Sequence, residues 1–331
     1  MNPPVARRLA WMFWALSAVP SSALALPTCP DYGAVANPPV LQGPAQRGFR
    51  HTGSQILSWS HTPYHMVHDQ IVPVGTQAVV MGKFDYSRVL HKDLEDEDVH
   101  VYVTGTQTPS WQYVGKYRTD SDGKIFVPLS RPVGEYRVKM VVEGDLSSAS
   151  GFVSVVEPGR QAVLFDIDGT LTLNDFEAVG DYLGVSTAQE YAQSVEVVNH
   201  YAALGYQIIY LTGRPYWVTK DTREWFDTKG YLDGHVHTNP YGDGPIPPDT
   251  QGYKTEYITY LLEDVGLDIV RAYGNATTDI GAYAAVGLPK SQTYIIGEHA
   301  GEEGTQPILN DYAQHRRTVV NATSPAGCVP R

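Results

Sequence analysis

Two aspartates stand two residues apart in Asp166-Ile167-Asp168-Gly169-Thr170-Leu171-Thr172, directly after the apolar run Ala162-Val163-Leu164-Phe165. Carboxylates at this spacing can divide the cleavage of a phosphate ester. Asp166 would attack phosphorus to form an aspartyl-phosphate, while Asp168 protonates the leaving oxygen and later takes a proton from water. Gly169 lets the backbone turn tightly beside them. A phosphoryl anion approaches two carboxylates only if cations and donors are supplied, and three further segments supply them. Leu211-Thr212-Gly213-Arg214-Pro215 offers the Thr212 hydroxyl and the Gly213 amide to phosphate oxygens, with Arg214 either touching substrate or pairing with a surface acid. Lys254 brings a positive charge to the phosphoryl group and Asp166 together. Gly274-Asn275-Ala276-Thr277-Thr278-Asp279 adds the oxygen-bearing side chains of Asn275 and Asp279. With Asp166 and the main-chain carbonyl of Asp168, these make an all-oxygen site suited to magnesium, Mg2+.

Such segments need strands that end where they begin. After Glu157-Pro158-Gly159 the pattern alternates strand and helix, with strands expected at 162–165, 207–211, 269–273 and 293–296. Helices are expected from a capping box at Thr187-Ala188-Gln189-Glu190 and over 217–226, 255–262 and 279–286. This order predicts a parallel α/β sheet, whose ligands bind beyond the carboxyl ends of the strands. Residues 77–156 instead show short alternating runs, such as Val99, Val101 and Val103 on one face, with Asp122-Gly123 read as a hairpin turn between 113–117 and 125–127. They predict a β-sandwich of immunoglobulin-like or transthyretin-like type. The expected division is a signal peptide at 1–25, an irregular segment at 26–70, the sandwich at 71–157, the α/β domain at 160–315 and a tail at 316–331.

The four motifs in this order resemble those of the haloacid-dehalogenase-type phosphatases, which implies a haloacid-dehalogenase-like, Rossmannoid parallel sheet for residues 160–315. More narrowly, YLTGRP and AYGNATTDIGAYAAVGLP look like the lipin phosphatidate phosphatases and the related C-terminal domain of membrane-associated phosphatidylinositol-transfer proteins. The resemblance covers about half the chain. It implies Asp166 as nucleophile, Asp168 as acid and base, Thr212, Gly213 and Lys254 around the phosphate, and Asp166, Asp168, Asn275 and Asp279 at Mg2+. Lipins also pair this domain with an immunoglobulin-like one. The transfer proteins use the domain to bind phosphatidate with a degraded catalytic motif, whereas both aspartates are intact here. The resemblance therefore implies a hydrolase of a phospholipid such as phosphatidate; the alternatives are a phosphatase of small soluble esters and a noncatalytic phosphatidate-binding module.

Composition bounds these readings. The chain has 331 residues, a formal net charge of -12 and two cysteines. The acidic balance excludes nucleic acid as a partner, because that affinity needs an excess of Lys and Arg. Arg7 and Arg8 before the apolar run 9–19, followed by Ser22-Ala23-Leu24-Ala25, predict an export signal and hence a periplasmic or secreted protein. In an oxidising compartment Cys29 and Cys328 are expected to form a disulfide joining the chain ends. Peripheral membrane contact is assigned to the basic stretch Lys116, Arg118, Lys124, Arg131, Arg137 and Lys139. Three minor signals are read plainly: His61, His65 and His68 as solvated histidines, because Pro63 interrupts the helix a zinc site would need; the acidic run 93–98 as a solvated edge; and Asn321-Ala322-Thr323 as a glycosylation acceptor of little weight in a tail.

Overall fold

The computed structural model describes residues 25–173, 188–239 and 247–331. The first domain holds ten strands: β1 Met66–Val67, β2 Gln70–Pro73, β3 Ala78–Lys83, β4 Asp85–Tyr86, β5 Lys92–Asp93, β6 Asp98–Gly105, β7 Thr108–Arg118, β8 Lys124–Leu129, β9 Gly134–Val142 and β10 Ser148–Val156. Five form a sheet in the order β2-β10-β9-β6-β7, three form β1-β3-β8, and β4 and β5 make a ribbon. Alternation does what the sequence predicts: Val99, Val101 and Val103 of β6, Tyr136, Val138 and Met140 of β9, and Val80, Ile125 and Val127 of the smaller sheet meet in one core.

The second domain is a parallel sheet of β11 Gln161–Phe165, β12 Gln207–Pro215, β13 His235–Asn239, β14 Asp268–Gly274, β15 Thr293–Ile296 and β16 Gln306–Ile308. Its spatial order is β13-β12-β11-β14-β15-β16. Counted along the chain this is 3-2-1-4-5-6, the doubly wound order whose direction reverses between β11 and β14, so a crevice opens above the ends of those two strands. Val163 and Phe165 of β11 point to one apolar layer and Ala162 and Leu164 to the other, which explains a strand apolar at every position. Besides a single helical turn at Gly33–Ala36, the α-helices among the described residues are α1 Thr52–Ser60 before the sandwich, then α2 Ser194–Ala203, α3 Thr219–Lys229, α4 Thr250–Thr259, α5 Thr277–Ala285 and α6 Tyr312–His315. None among the described residues is long and apolar enough to cross a membrane.

Several expectations are corrected. Residues 26–70 are not irregular throughout, since they hold α1, β1 and the start of β2. Asp122-Gly123 closes no hairpin: β7 pairs with β6 and β8 with β3, so the turn carries the chain between sheets. Asp120 Oδ1 accepts the N–H groups of Asp122 and Lys124 there, both at 2.9 Å. Helix α2 begins at Ser194, because Glu190 is drawn into a bridge with Thr172; Thr187 lies outside the described residues. The edge strands β13 and β16 were not expected. His65 is buried rather than solvated, with Nε2 2.8 Å from the Ser147 hydroxyl. The acidic run is not a free edge either: Glu97 accepts the N–H groups of Arg50 and His51 at 2.8 and 3.0 Å, tying the N-terminal segment to the sandwich.

Buried charge joins the two domains. Arg160, fully buried, donates to Glu135 of β9 at 2.9 Å and to Gln207 of β12 at 3.0 Å. Asp69 pairs with Arg223 of α3 and accepts the N–H groups of Phe152 (2.8 Å) and Val236 (2.7 Å). The N-terminal segment lies across the same seam, with Thr28 bonded to Glu157, and Tyr32 accepting from the Ile208 N–H at 2.7 Å. Cys29 and Cys328 form the expected disulfide. On the chain-entropy model a cross-link of this span stabilises by up to about 5 kcal/mol. Cys29→Ser is therefore expected to lower the melting temperature, and a reductant to lower that of the parent chain but not of the variant; differential scanning calorimetry with and without dithiothreitol checks this.

Burial also pushes histidines down, His65 to about 4 and His235 to about 3. Their folded values lie below the unfolded value, so their contribution is fully present above about 6.5 and is lost as pH falls from there towards the folded values. At pH 5 the loss should reach up to about 2 kcal/mol for each, measurable as a lower urea midpoint than at pH 7.5 and reduced when His235 is replaced by Gln.

Candidate active site

Three strand ends meet at the crevice. β11 delivers Asp166, whose N–H donates to the Tyr273 carbonyl at 3.0 Å, and the chain then turns through Gly169 at φ 70°. A Cβ at Gly169 would stand 2.1 Å from Asn275 Nδ2, so glycine is required both by the left-handed backbone and by the approach of the next strand's loop. β14 delivers Asn275, and α5 then begins so that Asp279 Oδ2 accepts the N–H groups of Asn275 and Ala276 at 3.0 and 3.1 Å. This ring fixes Asp279 without exposing it. β12 delivers Thr212, Gly213 and Arg214, all buried.

One cation holds the centre. Lys254, inside α4 rather than at its start, places Nζ 2.8 Å from Asp166 Oδ1 and 2.6 Å from Asp279 Oδ1. Thr170 Oγ1 lies 2.9 Å from Asp166 Oδ2 and 3.1 Å from Asn275 Oδ1. Burial, together with the Asp279 and Asp168 carboxylates, pushes the Asp166 carboxyl up to about 8 against the opposing pull of Lys254. The Asp166 and Asp279 carboxylates push the Lys254 ammonium upward despite its burial. Asp168 is held separately, by a forked pair from Arg214: Nε at 2.9 Å from Oδ2 and Nη2 at 2.7 Å from Oδ1, with the Thr212 hydroxyl at 3.2 Å. Arg214 is anchored in turn on the Thr222 hydroxyl of α3 at 2.9 Å.

Thus Asp166, Asp168, Thr212, Gly213, Lys254, Asn275 and Asp279 all lie at this crevice. Two residues of the arrangement, Thr170 and Tyr312, were not singled out from sequence, and Arg214 was left open between a substrate contact and a surface pair. Arg214 grips Asp168 instead of a surface acid. Thr170 bridges the loops of β11 and β14, and its place inside the aspartate motif was the signal that could have marked it. Tyr312, from α6, donates its hydroxyl to the Thr170 carbonyl at 3.0 Å; lying far along the chain from that motif, it gives no local signal.

The donor set suits a hard divalent cation. The Asp166 and Asp279 carboxylates and the Asn275 carboxamide are all oxygen donors. Three buried carboxylates (Asp166, Asp168, Asp279) face two cations (Lys254, Arg214), one carboxylate more than the cations can pair. Among the described residues no group of three or more His, Cys, Asp or Glu side chains is arranged as a metal site. Any cation here would depend on Asn275 and main-chain oxygen as well as carboxylates.

Residues 63–155 match the family model "PITM 1-3, beta-sandwich domain" and residues 163–297 match "PITM 1-3, LNS2 domain". The chain is 34% identical over 249 residues to membrane-associated phosphatidylinositol transfer protein 1 of Rattus norvegicus, an alignment covering 74% of this chain and 19% of that one. It is 31% identical to membrane-associated phosphatidylinositol transfer protein 3 of Mus musculus (79% and 26%) and 30% to protein retinal degeneration B of Drosophila melanogaster (76% and 20%). The chain thus spans between about a fifth and a quarter of the length of these relatives. Among solved structures, it overlays on a putative haloacid-dehalogenase-like phosphatase from Mesorhizobium loti with TM-score 0.38 and 16% identity, covering 50% of this chain and 86% of that one. Apo phosphoserine phosphatase gives TM-score 0.33 and 12% identity over 49% and 99%.

The relatives overturn one expectation. They are named as membrane-associated proteins, so the assignment as an exported, periplasmic or secreted protein is withdrawn; of the segment read as its signal, residues 1–25, all but Ala25 lies outside the described residues.

The charge excess makes a prediction independent of any activity. Lys254→Met strands two buried carboxylates and should destabilise by about 3–5 kcal/mol, whereas Asp166→Asn removes the excess charge and should leave stability unchanged or raised. Urea unfolding of both variants in the presence of a chelator checks the contrast.

Proposed function

This chain belongs to the PITM 1-3 family, carrying its β-sandwich and LNS2 domains in order, and on that premise we propose that it is a magnesium-dependent phosphatase of a phospholipid monoester such as phosphatidate. One observation carries the reading: an intact aspartate pair stands at the switch point of a doubly wound sheet, with Lys254 joining Asp166 to Asp279. The lipid class is supported by relatives named for phosphatidylinositol transfer and membrane association. It is also supported by the short chain between Thr172 and α2, too short for a large cap domain over the crevice.

Lys254 and Thr170 fix the Asp166 carboxylate, so that one oxygen bonds to phosphorus as the bond to the leaving oxygen breaks. The Thr212 hydroxyl, the Gly213 amide and Lys254 take the equatorial phosphoryl oxygens. Asp168 gives the leaving oxygen its proton and then removes one from the water that attacks the aspartyl-phosphate, returning Asp166 and releasing phosphate. Since Asp168 and Thr212 are bonded to each other and to Arg214, substrate binding must rearrange this fork first. Magnesium, held by Asp166, Asn275, Asp279 and the Asp168 carbonyl, would supply positive charge against the phosphoryl oxygens.

That fork also favours a second reading. A site whose Asp168 is tightly paired with Arg214 could hold a phosphatidate headgroup without hydrolysing it. Phosphate release separates the two readings: the parent chain should release phosphate from phosphatidate in mixed micelles, lose that release with a chelator, and fall by at least about 1000-fold in Asp166→Asn. Retention of phosphatidate vesicles with no release from any ester would establish the binding module instead. Release from p-nitrophenyl phosphate but from no lipid would move the substrate to soluble esters.

A further inference from the structure

Large apolar side chains gather at one exposed junction of the first domain. Helix α1, Thr-Gly-Ser-Gln-Ile-Leu-Ser-Trp-Ser, has nine residues, no charge and no buried residue. Ile56 is 57% and Trp59 78% exposed. Leu57 turns inward onto the sandwich core, which leaves Ile56 and Trp59 on the helix's outward, uncharged face. The segment leaving it runs alongside β4: the Ser87 N–H donates to the Thr62 carbonyl at 2.9 Å and Pro63 bridges Tyr86. Just beyond β4, Val89 and Leu90 are 74% and 59% exposed. Their turn is built rather than loose. Ser87 and His91 hold left-handed backbone at φ 74° and 43°, and the Ser87 hydroxyl accepts the N–H groups of Val89 and Leu90 at 3.3 and 3.1 Å. Single exposed apolar residues are ordinary, but two pairs on hydrogen-bonded neighbouring segments form a patch.

The flank of the patch carries two cations, Arg88 and Lys92, of which Arg88 is paired. His61, Arg88, His91 and Lys92 border it. Arg88 pairs with Asp221 and His91 stands 3.4 Å from Asp85, while exposed Lys92 has no carboxylate partner among the described residues. An uncharged, Trp-bearing centre beside the exposed Lys92 complements an anionic lipid surface, into which Trp and aliphatic side chains insert while a cation meets the headgroups. The turn also touches the domain that carries the candidate active site. Arg88 Nε donates to Asp221 of α3 at 3.1 Å, and the His91 ring lies 6.1 Å from that of Trp217, which follows Arg214 by three residues. The basic stretch at 116–139, expected from sequence to dock on membrane, is largely neutralised instead. Lys116 and Arg118 pair with Asp98, Lys124 with Asp122, and Arg137 with Asp233.

We propose that Ile56, Trp59, Val89 and Leu90, with Lys92 beside them, form the surface by which this chain docks on an anionic lipid bilayer, setting the crevice of Asp166 towards the membrane. The docking rests on the surface alone; the orientation of the crevice rests on the lipid-phosphate reading above.

Vesicle sedimentation tests it, using phosphatidylcholine vesicles with and without phosphatidylserine or phosphatidate. The double variants Ile56→Ser/Trp59→Ser and Val89→Ser/Leu90→Ser should each lower the bound fraction about tenfold or more, since each removes two inserting side chains. Both should keep the parent melting temperature and its turnover of p-nitrophenyl phosphate within about twofold, because neither change reaches the crevice. Lys92→Glu should weaken binding to the anionic vesicles only. Absence of parent binding, or binding unchanged in both double variants, overturns the proposal. So does a parent dimer in light scattering that the Val89→Ser/Leu90→Ser change dissolves while vesicle binding persists, which would assign the patch to a second copy of the chain. If the vesicle results hold but the parent releases phosphate from no ester, the docking stands and the phosphatase reading falls.

Discussion

The ammonium of Lys254 sits between two carboxylates that cannot share a dry crevice without it. Asp166 comes from the end of β11 and Asp279 from the first turn of α5, and the lysine from α4 closes the distance between them. Burying charge is costly unless each charge is paired and hydrogen-bonded, and this arrangement satisfies the condition at almost every atom. Asp279 takes two main-chain N–H groups and the lysine; Asp166 takes the lysine and Thr170. The remaining carboxylate, Asp168, has its own cation in Arg214. What is left over is one carboxylate more than the cations can pair, and burial puts the cost on Asp166, whose carboxyl is pushed up to about 8 where a phosphoryl group and a divalent cation would meet. A site built for structure alone has no reason to keep that excess.

The strand order makes the pairing possible. Only at the β11/β14 reversal do loops from two adjacent strand ends diverge to opposite sides of the sheet and leave a cleft between them. The sequence contained this in local form: apolar strands followed at once by polar motifs told both where the strands end and that their ends carry chemistry. For the same reason Asp166, Thr212 and Asn275 could be placed from sequence, since Asp166 and Asn275 directly follow β11 and β14 and Thr212 follows the apolar run 208–211 of β12. Lys254 was legible only as the missing cation, because nothing local distinguishes it from a surface lysine.

Other features were illegible because their partners are distant in sequence. Tyr312 reaches Thr170 only after the chain has passed through the whole sheet. Arg214 could be read as a substrate contact or a surface pair, and its grip on Asp168 depends on the spacing of β12 and β11 in three dimensions. Asp122-Gly123 has the composition of a hairpin turn, yet β8 pairs with β3, an outcome decided by which sheet offers an edge rather than by the turn. The histidines of residues 61–68 have the composition of a polar loop; His65 is buried because it packs against Phe84 and Tyr86 of the sandwich. Local signals describe the backbone well and long-range pairing poorly, and here the pairing is what turns a turn-rich, acidic chain into two joined domains.

The seam between those domains joins apolar contact, with Ile71 and Val156 of the sandwich packed into one apolar layer of the α/β sheet, to buried charge. Arg160 with Glu135 and Arg223 with Asp69 are buried ion pairs whose partners come from opposite domains. Such pairs add little net stability over apolar contacts but tolerate only one geometry, because a displaced partner leaves a buried charge alone. A seam of this kind fixes orientation more than it adds strength. That property matters if the sandwich determines which way the crevice faces. The exposed turn at Val89 and Leu90 is connected to α3 through Arg88 and Asp221, and α3 holds Arg214 through Thr222, so a single run of polar contacts leads from the apolar patch to Asp168. The electrostatics that hold the carboxylates in place and those that hold the domains in register are continuous. The second domain, with 22 acidic against 11 basic residues over 160–331, would be repelled by an anionic surface on its own, and its fixed attachment to a sandwich with an uncharged patch beside Lys92 is the physical means by which such a site could still work against a membrane.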